Sequence, residues 1–142
     1  MKAIITGSRD YRDYETILAA LVDYGITFLV EGGARGADRL GRTAAINLDI
    51  PYVTVEADWD RYRAAAGAIR NQEMLDSHPD AEVVLAFPLA ASIGTLDMWR
   101  RARAAGRVVV PFMPNPAIHP PRPGFDNGYW PARMDPPVDR NI

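Results

Sequence analysis

Short apolar runs alternate along this chain with longer stretches whose apolar residues return every three or four positions. Lys2–Thr6 is the first run; it ends at Gly7 and predicts a buried strand. Tyr14–Tyr24 carries Ile17, Leu18, Leu21 and Val22 at helical spacing, with Gly25 where a helix stops. Thr27–Val30 is β-branched and aromatic, a second strand, and runs directly into Glu31-Gly32-Gly33-Ala34-Arg35-Gly36. Ala37–Leu48 returns to helical spacing through Leu40, Ala44, Ala45 and Leu48, and Tyr52–Val55 is a third strand. Asp60–Ser77 is alanine-rich and reads as helix interrupted near Gly67. Glu82–Phe87 is a fourth strand, Thr95–Ala105 a helix closed by Gly106, and Arg107–Val110 a fifth strand.

Strands alternating with helices of this length specify β-α-β units, hence a parallel sheet with right-handed crossovers and helices on both faces. The fold class is therefore α/β: a doubly wound, mainly parallel, five-stranded Rossmann-like sheet. Ligands of such sheets lie at the carboxyl ends of the strands. The loops starting at Gly7, Gly32, Ala57 and Pro88 each follow a strand, so they gather on one edge. Beyond Pro111 the pattern changes, because nine of the twelve prolines fall in the last thirty-two residues and exclude regular helix or central strand there. The expected organisation is a nucleotide-binding domain over 1–112 and a proline-rich extension over 113–142. Phe112, Phe125, Tyr129 and Trp130 are too apolar for a solvated tail, so the extension is expected to pack across the domain or onto a second subunit.

At 142 residues and 48% hydrophobic, the chain suits one core. No run of about 18 apolar residues occurs, and the N-terminus reads as a strand rather than a signal peptide, so a cytoplasmic protein without membrane contact is expected. The absence of cysteine excludes disulfide scaffolds, thiol nucleophiles and cysteine-ligated zinc. His78 and His119 are too few for a histidine metal site, and no metal or cofactor is expected. A net charge of −2 offers no global field for nucleic acid. Lys2 is the single lysine beside fifteen arginines, which codon bias in a GC-rich genome explains, so each arginine needs its own argument.

Four motifs carry chemistry. Gly32-Gly33-Ala34-Arg35-Gly36-Ala37-Asp38 places glycines directly after a strand, where backbone N–H groups and a helix N-terminus can cradle an anion and Arg35 can grip phosphate bidentately. The competing reading is a tight strand-to-helix turn with Asp38 as cap. The loop lacks both the Walker A ending and the dinucleotide-fingerprint spacing. In Gly7-Ser8-Arg9-Asp10, Ser8 either donates to a phosphate or opens a turn, and Arg9 either meets a ligand or pairs with Asp10 or Asp13. Arg70 and Asn71, near Gly67, either hold a ribose or phosphate or lie on a solvated face. Gly94 and Thr95 open the last helix, with Thr95 as a ligand group or an N-cap.

Taken together, Gly7-Ser8-Arg9, Gly32 to Asp38, Ala57-Asp58-Trp59, and Ala66-Gly67 through Arg70-Asn71 to Met74 resemble the SLOG superfamily, in its small bacterial and phage branch. The resemblance spans roughly residues 1–112 and implies a nucleotide or nucleotide-derived ligand. It is more distant to the Lonely Guy phosphoribohydrolases, which release free base from nucleoside monophosphates, and to the DNA-processing protein A family, which binds single-stranded DNA. Arg70 and Met74 match the Arg-Lys-x-x-Met of the phosphoribohydrolases. Three residues after Thr95, however, Met98 stands where their catalytic glutamate lies, and Ala90-Ala91-Ser92 replaces their Pro-Gly-Gly.

Cleaving an N-glycosidic bond needs a carboxylate to stabilise positive charge on the ribosyl and activate water, which methionine cannot do. Asp97 lies one residue earlier, about a hundred degrees around the helix; Asp58 and Asp38 are the other candidates. Binding, as a sensor, sequestering or processing module, is the leading reading. An N-glycosidase or ribosyl-transferring enzyme using Arg70 with Asp97 is the second. Single-stranded DNA binding is the third, through Arg100, Arg103 and Arg107 on one helix stripe with Trp59 and Trp130 stacking bases; the acidic balance argues against it. The apolar tail and the resemblance both point to a homodimer.

Overall fold

The computed structural model describes residues 1–90, 92–126 and 130–131. Strands β1 (Lys2–Gly7), β2 (Phe28–Glu31), β3 (Tyr52–Thr54), β4 (Val83–Phe87) and β5 (Val108–Pro111) form one sheet in the order β3-β2-β1-β4-β5, and every pairing is parallel. Period-2 alternation sorts the strand residues between two cores. Ala3, Ile5, Leu85 and Phe87 face α1 (Tyr14–Asp23) and α2 (Ala37–Asn47), through Ile17, Leu21, Ala44 and Ala45. Ile4, Val84, Ala86 and Val109 face α4 (Ala66–Ser77) and α5 (Ile93–Ala104), through Met74, Leu75, Met98 and Trp99. With both faces covered, β4 reads as a continuous apolar run and is buried from end to end. The predicted doubly wound sheet is thus present, with parallel pairing throughout its five strands.

The chain runs from β1 outward to β3, then crosses back to place β4 on the other side of β1. This reversal opens a crevice beyond the carboxyl ends of β1 and β4, the place where doubly wound sheets take their ligands.

One boundary differs from the sequence expectation. The helical stretch after Asp58 breaks at Arg63 rather than Gly67. A four-residue helix, α3 (Trp59–Tyr62), capped by Asp58 at the Arg61 N–H, is followed by a 3₁₀ turn, Arg63–Ala65, in which Arg63 takes a φ of +54°. Gly67 continues into α4, where a Cβ would only touch the Trp59 ring edge at 3.6 Å.

Past β5, Phe112 stacks on Phe87 with ring centres 4.8 Å apart, and its N–H extends the ladder to the Ala86 carbonyl. His119 stacks on Tyr11 at 5.0 Å and accepts the Arg12 N–H through Nε2, while the Arg12 guanidinium donates to the Ile118 carbonyl. The segment from Phe112 to His119 therefore lies against the loop joining β1 to α1. A short antiparallel pair, β6 (Phe125–Asp126) with β7 (Trp130–Pro131), follows. Tyr129 and the Trp130 side chain, named above as apolar anchors, lie outside the described residues. Among the described residues no helix is long and apolar enough to cross a membrane.

Gly7 lets β1 approach the start of α2: a Cβ there would overlap the Ala37 Cβ and come within 2.7 Å of the Phe87 carbonyl. Both neighbours are fixed, so Gly7→Ala is expected to cost about 1–3 kcal/mol as overpacking. Denaturant midpoints at unchanged m-value measure it; an unshifted midpoint contradicts the close approach.

Candidate functional site

The crevice is walled by the loops after β1, β2 and β4 and by the N-terminal turns of α4 and α5. It encloses about 500 Å³, room for a nucleotide-sized ligand. Gly7, Ser8, Arg9, Arg35, Asp38, Arg70, Asn71, Gly94, Thr95 and Asp97 all border it, so most of the sequence-derived site residues converge on one cavity. Gly32 and Gly33 line a neighbouring hollow together with Arg70, and Gly36 lines an outer groove.

The β1 and β2 loops are welded to each other. The Ala37 N–H donates to the Ser8 carbonyl at 3.1 Å, and Gly36, at φ +77°, passes so close that a Cβ would strike the Ser8 and Arg9 carbonyls. Ser8 is buried; its Oγ receives the Asp10 N–H at 3.1 Å and keeps its own proton to donate. Arg9 lies over the half-exposed Trp59 ring, 5.4 Å from its centre, a cation–π contact that fixes where its head sits.

The glycine loop spends its first donors internally. Asp38 Oδ2 accepts the N–H groups of Gly32 and Ala34 at 3.2 and 3.3 Å, and Glu31 Oε2 accepts that of Gly33. Three of the N–H groups expected to cradle an anion are thereby occupied by carboxylates of the chain itself. Asp38 is not the N-cap either: Gly36 holds that position without any side-chain bond. Gly33, at φ +74°, turns the loop, so substitution there strains the backbone whatever the ligand does.

Glu31, which the sequence does not single out, is fully buried at the end of β2. Arg42 compensates it at 3.1 Å, and the Thr54 hydroxyl donates to the same oxygen. Asp38 is buried too; loss of solvent pushes its carboxyl up to about 7, the Glu31 charge adds to that rise, and the Arg70 charge with the two amides opposes it.

A polar chain crosses the cleft floor. The Arg70 guanidinium donates to the Gly32 carbonyl and, through Nε, to Asn71 Oδ1 at 3.2 Å. Asn71 Nδ2 donates to Asp97 Oδ2 at 2.9 Å and to the Gly94 carbonyl at 3.2 Å. Arg101 closes the far end, 2.9 Å from Asp97, while also reaching Gln72. Arg70 is therefore at the carboxyl edge of the sheet rather than on a solvated face, and Asp97 faces the cleft. Met98 turns the other way and is fully buried in the core. Asp58, the remaining carboxylate candidate, is the cap of α3.

The N-terminus of α5 is left open. Ser92, its N-cap, makes no capping bond, since its hydroxyl is engaged with Leu89. Thr95, in the first turn and only 3% exposed, borders the cleft with an Oγ1 that has no hydrogen-bond partner among the described residues. Native buried hydroxyls are almost always satisfied. Thr95 is thus not the N-cap.

The arginine stripe considered for DNA dissolves on inspection. Arg107 lies beyond α5, and its guanidinium donates to the carbonyls of Leu75, His78 and Ala81, closing the C-terminal end of α4. Arg100 and Arg103 are exposed.

Comparison with known proteins places these features in a family. The model of the YAcAr family (YspA, cpYpsA-related SLOG family) matches residues 1–62, from β1 through α3. The Gene 61 protein of Mycobacterium phage D29 is 38% identical over 126 residues, covering 81% of this chain and 98% of that protein. Among solved structures, DNA processing protein A of Streptococcus pneumoniae superimposes with a TM-score of 0.63 at 17% identity, over 78% of this chain and 49% of that one. The chain thus spans about half the length of that protein, and the likeness is one of fold.

The raised Asp38 carboxyl makes stability depend on pH. The folded state holds this proton more tightly than the unfolded chain, where the group titrates near 3.8. Its contribution to stability is present at low pH and is lost as pH rises from about 4 through about 7. Denaturant midpoints of wild type and Asp38→Asn across that window are expected to diverge, the variant lacking this decline. Parallel profiles refute the assignment.

Proposed function

The chain belongs to the SLOG superfamily, and on that premise we propose that its cleft binds a nucleotide or nucleotide-derived ligand, with a phosphate at the N-terminus of α5. The observation that carries this reading is the buried, unpartnered Thr95 hydroxyl beneath an uncapped helix end. Free N–H groups at such an end, with the helix dipole behind them, favour an anion. Ser8 and Arg9 from the β1 loop and Arg70 from α4 border the same cavity. Three carboxylates border the cavity, and none repels an anion at full strength: Asp38 is part-protonated near neutral pH, Asp97 is paired with Arg101, and Asp10 lies 3.5 Å from Arg35. Because the glycine-loop amides are engaged by Asp38 and Glu31, that loop acts chiefly as the scaffold that sets Arg35 and Arg70. The domain over 1–112 supplies most of the binding unit in this reading, and the described stretch after it, through His119, packs on its β1–α1 loop.

A second reading rests on Asp97. It faces the cleft, is only 31% exposed and is oriented by Asn71, so a carboxylate stands near a bound ribose even though Met98 does not supply one. Slow base release would then use Asp97 to stabilise the ribosyl while water adds at its anomeric carbon, and Asp38, near 7, to give its proton to the departing base and recover one from the water.

Thermal-shift and calorimetric titration with AMP, GMP, CMP and UMP test the binding reading. Thr95→Val and Arg70→Ala are each expected to weaken the best ligand by about 1.5–3 kcal/mol, the range for a hydrogen bond to a charged group. Unchanged affinity in both variants rejects the site. Chromatography of the same incubations reports free base: binding without rapid release is expected. If any monophosphate is turned over, Asp97→Asn should remove the release while sparing affinity.

A further inference from the structure

Two further concavities adjoin the cleft, and Arg9 and Arg35 border all three. The larger, about 680 Å³, runs outward between the β1–α1 loop and the start of α2. Its rim carries Arg9, Arg12, Arg35 and Arg39 against a single carboxylate, Asp10, within a chain whose net charge is −2. His119, also on the rim, receives the Arg12 N–H, and burial beside the Arg12 charge lowers its pKa, so it adds no counter-charge.

These guanidiniums are little committed elsewhere. Arg35 meets Asp10 only at 3.5 Å with both side chains mostly exposed, a geometry of small worth. Arg12 gives one bond to a carbonyl, and the Arg39 side chain makes no hydrogen bond or ion pair among the described residues. The N-terminus of α2 opens on the same groove at Gly36 without a side-chain cap, because Asp38 has turned back into the glycine loop. Tyr11, Leu40 and Leu89 supply an apolar wall.

We propose that this groove is a second subsite, and that the ligand is a pyrophosphate-bridged nucleotide conjugate rather than a mononucleotide. The proposal rests on the reading of the inner cleft given above. One nucleotide occupies that cleft, the second phosphate sits at the Arg9–Arg35 junction, and the remaining group lies in the outer groove toward Arg12 and Arg39. A mononucleotide held in the inner cleft would leave the arginine groove without a counter-anion. A nucleic-acid strand fits less well: the chain is acidic overall, and strand binding draws chiefly on a continuous positive surface.

Calorimetry on the full chain at fixed ionic strength tests this with three probes: a nucleoside 5′-monophosphate, the dinucleoside 5′,5′-diphosphate of the same base, and an oligodeoxynucleotide of about ten residues. The diphosphate conjugate is expected to bind about tenfold or more tightly than the monophosphate. Arg39→Gln, at a side chain without a hydrogen bond or ion pair among the described residues, should bring that ratio toward one while leaving the monophosphate Kd within about twofold. Equal wild-type affinities, an equal loss for both nucleotides in the variant, or tighter binding of the oligonucleotide overturns the subsite and leaves the inner-cleft reading standing. If neither nucleotide binds, both fall.

Discussion

Two carboxylates buried where β2 ends govern the geometry of everything around the cleft. A lone buried charge costs several kcal/mol, so the chain answers each with donors: Arg42, Thr54 and the Gly33 amide for Glu31, and the amides of Gly32 and Ala34 for Asp38. Satisfying them folds the glycine loop back upon itself. That fold presents the Gly32 carbonyl to Arg70 and sets Gly36 against the β1 loop. Donors used in this way are not available to a ligand, so in the proposed reading anion recognition falls to the neighbouring helix end and to arginine side chains.

The positions of these groups depend in turn on the link from α4 to α5. Arg70, Asn71, Asp97 and Arg101 form an unbroken series of hydrogen bonds between the two helices, and Arg101 adds a bond to Gln72. Networks of this kind hold their members more rigidly than isolated pairs. Asn71 has a particular role, since it bonds the Gly94 carbonyl as well as Asp97 and so ties the first turn of α5 to the body of α4.

The fold was legible because each element announces itself locally. β-branched runs, helical spacing and glycine stops placed all five strands and the main helices to within a residue or two. The misjudged break shows the limit: Gly67 is the residue that permits a kink, yet Arg63 takes the left-handed backbone because Asp58 caps a short helix just before it. The site was legible as a set of loops and less so as chemistry. Glu31 reads as the polar end of a strand; only the sheet register, which pairs it with Thr54, shows that it is interior. Arg107 continues a helical stripe by spacing, but the helix stops at Ala104 and its side chain turns to α4. Long-range partners decide such residues, and spacing along one element carries no record of them.

The orientation of Met98 bears on how this lineage could change. Its side chain sits among Ile4, Val84 and Trp99 with no solvent exposure. A glutamate introduced there would meet hydrocarbon rather than a sugar, and the whole penalty of an unsolvated carboxylate would fall on folding. Efficient hydrolysis in this cleft would need Asp97 to leave its present partners or α5 to rotate by about one residue. If the cleft binds without hydrolysing, as proposed, the path from one to the other runs through the setting of a helix, not through a single codon.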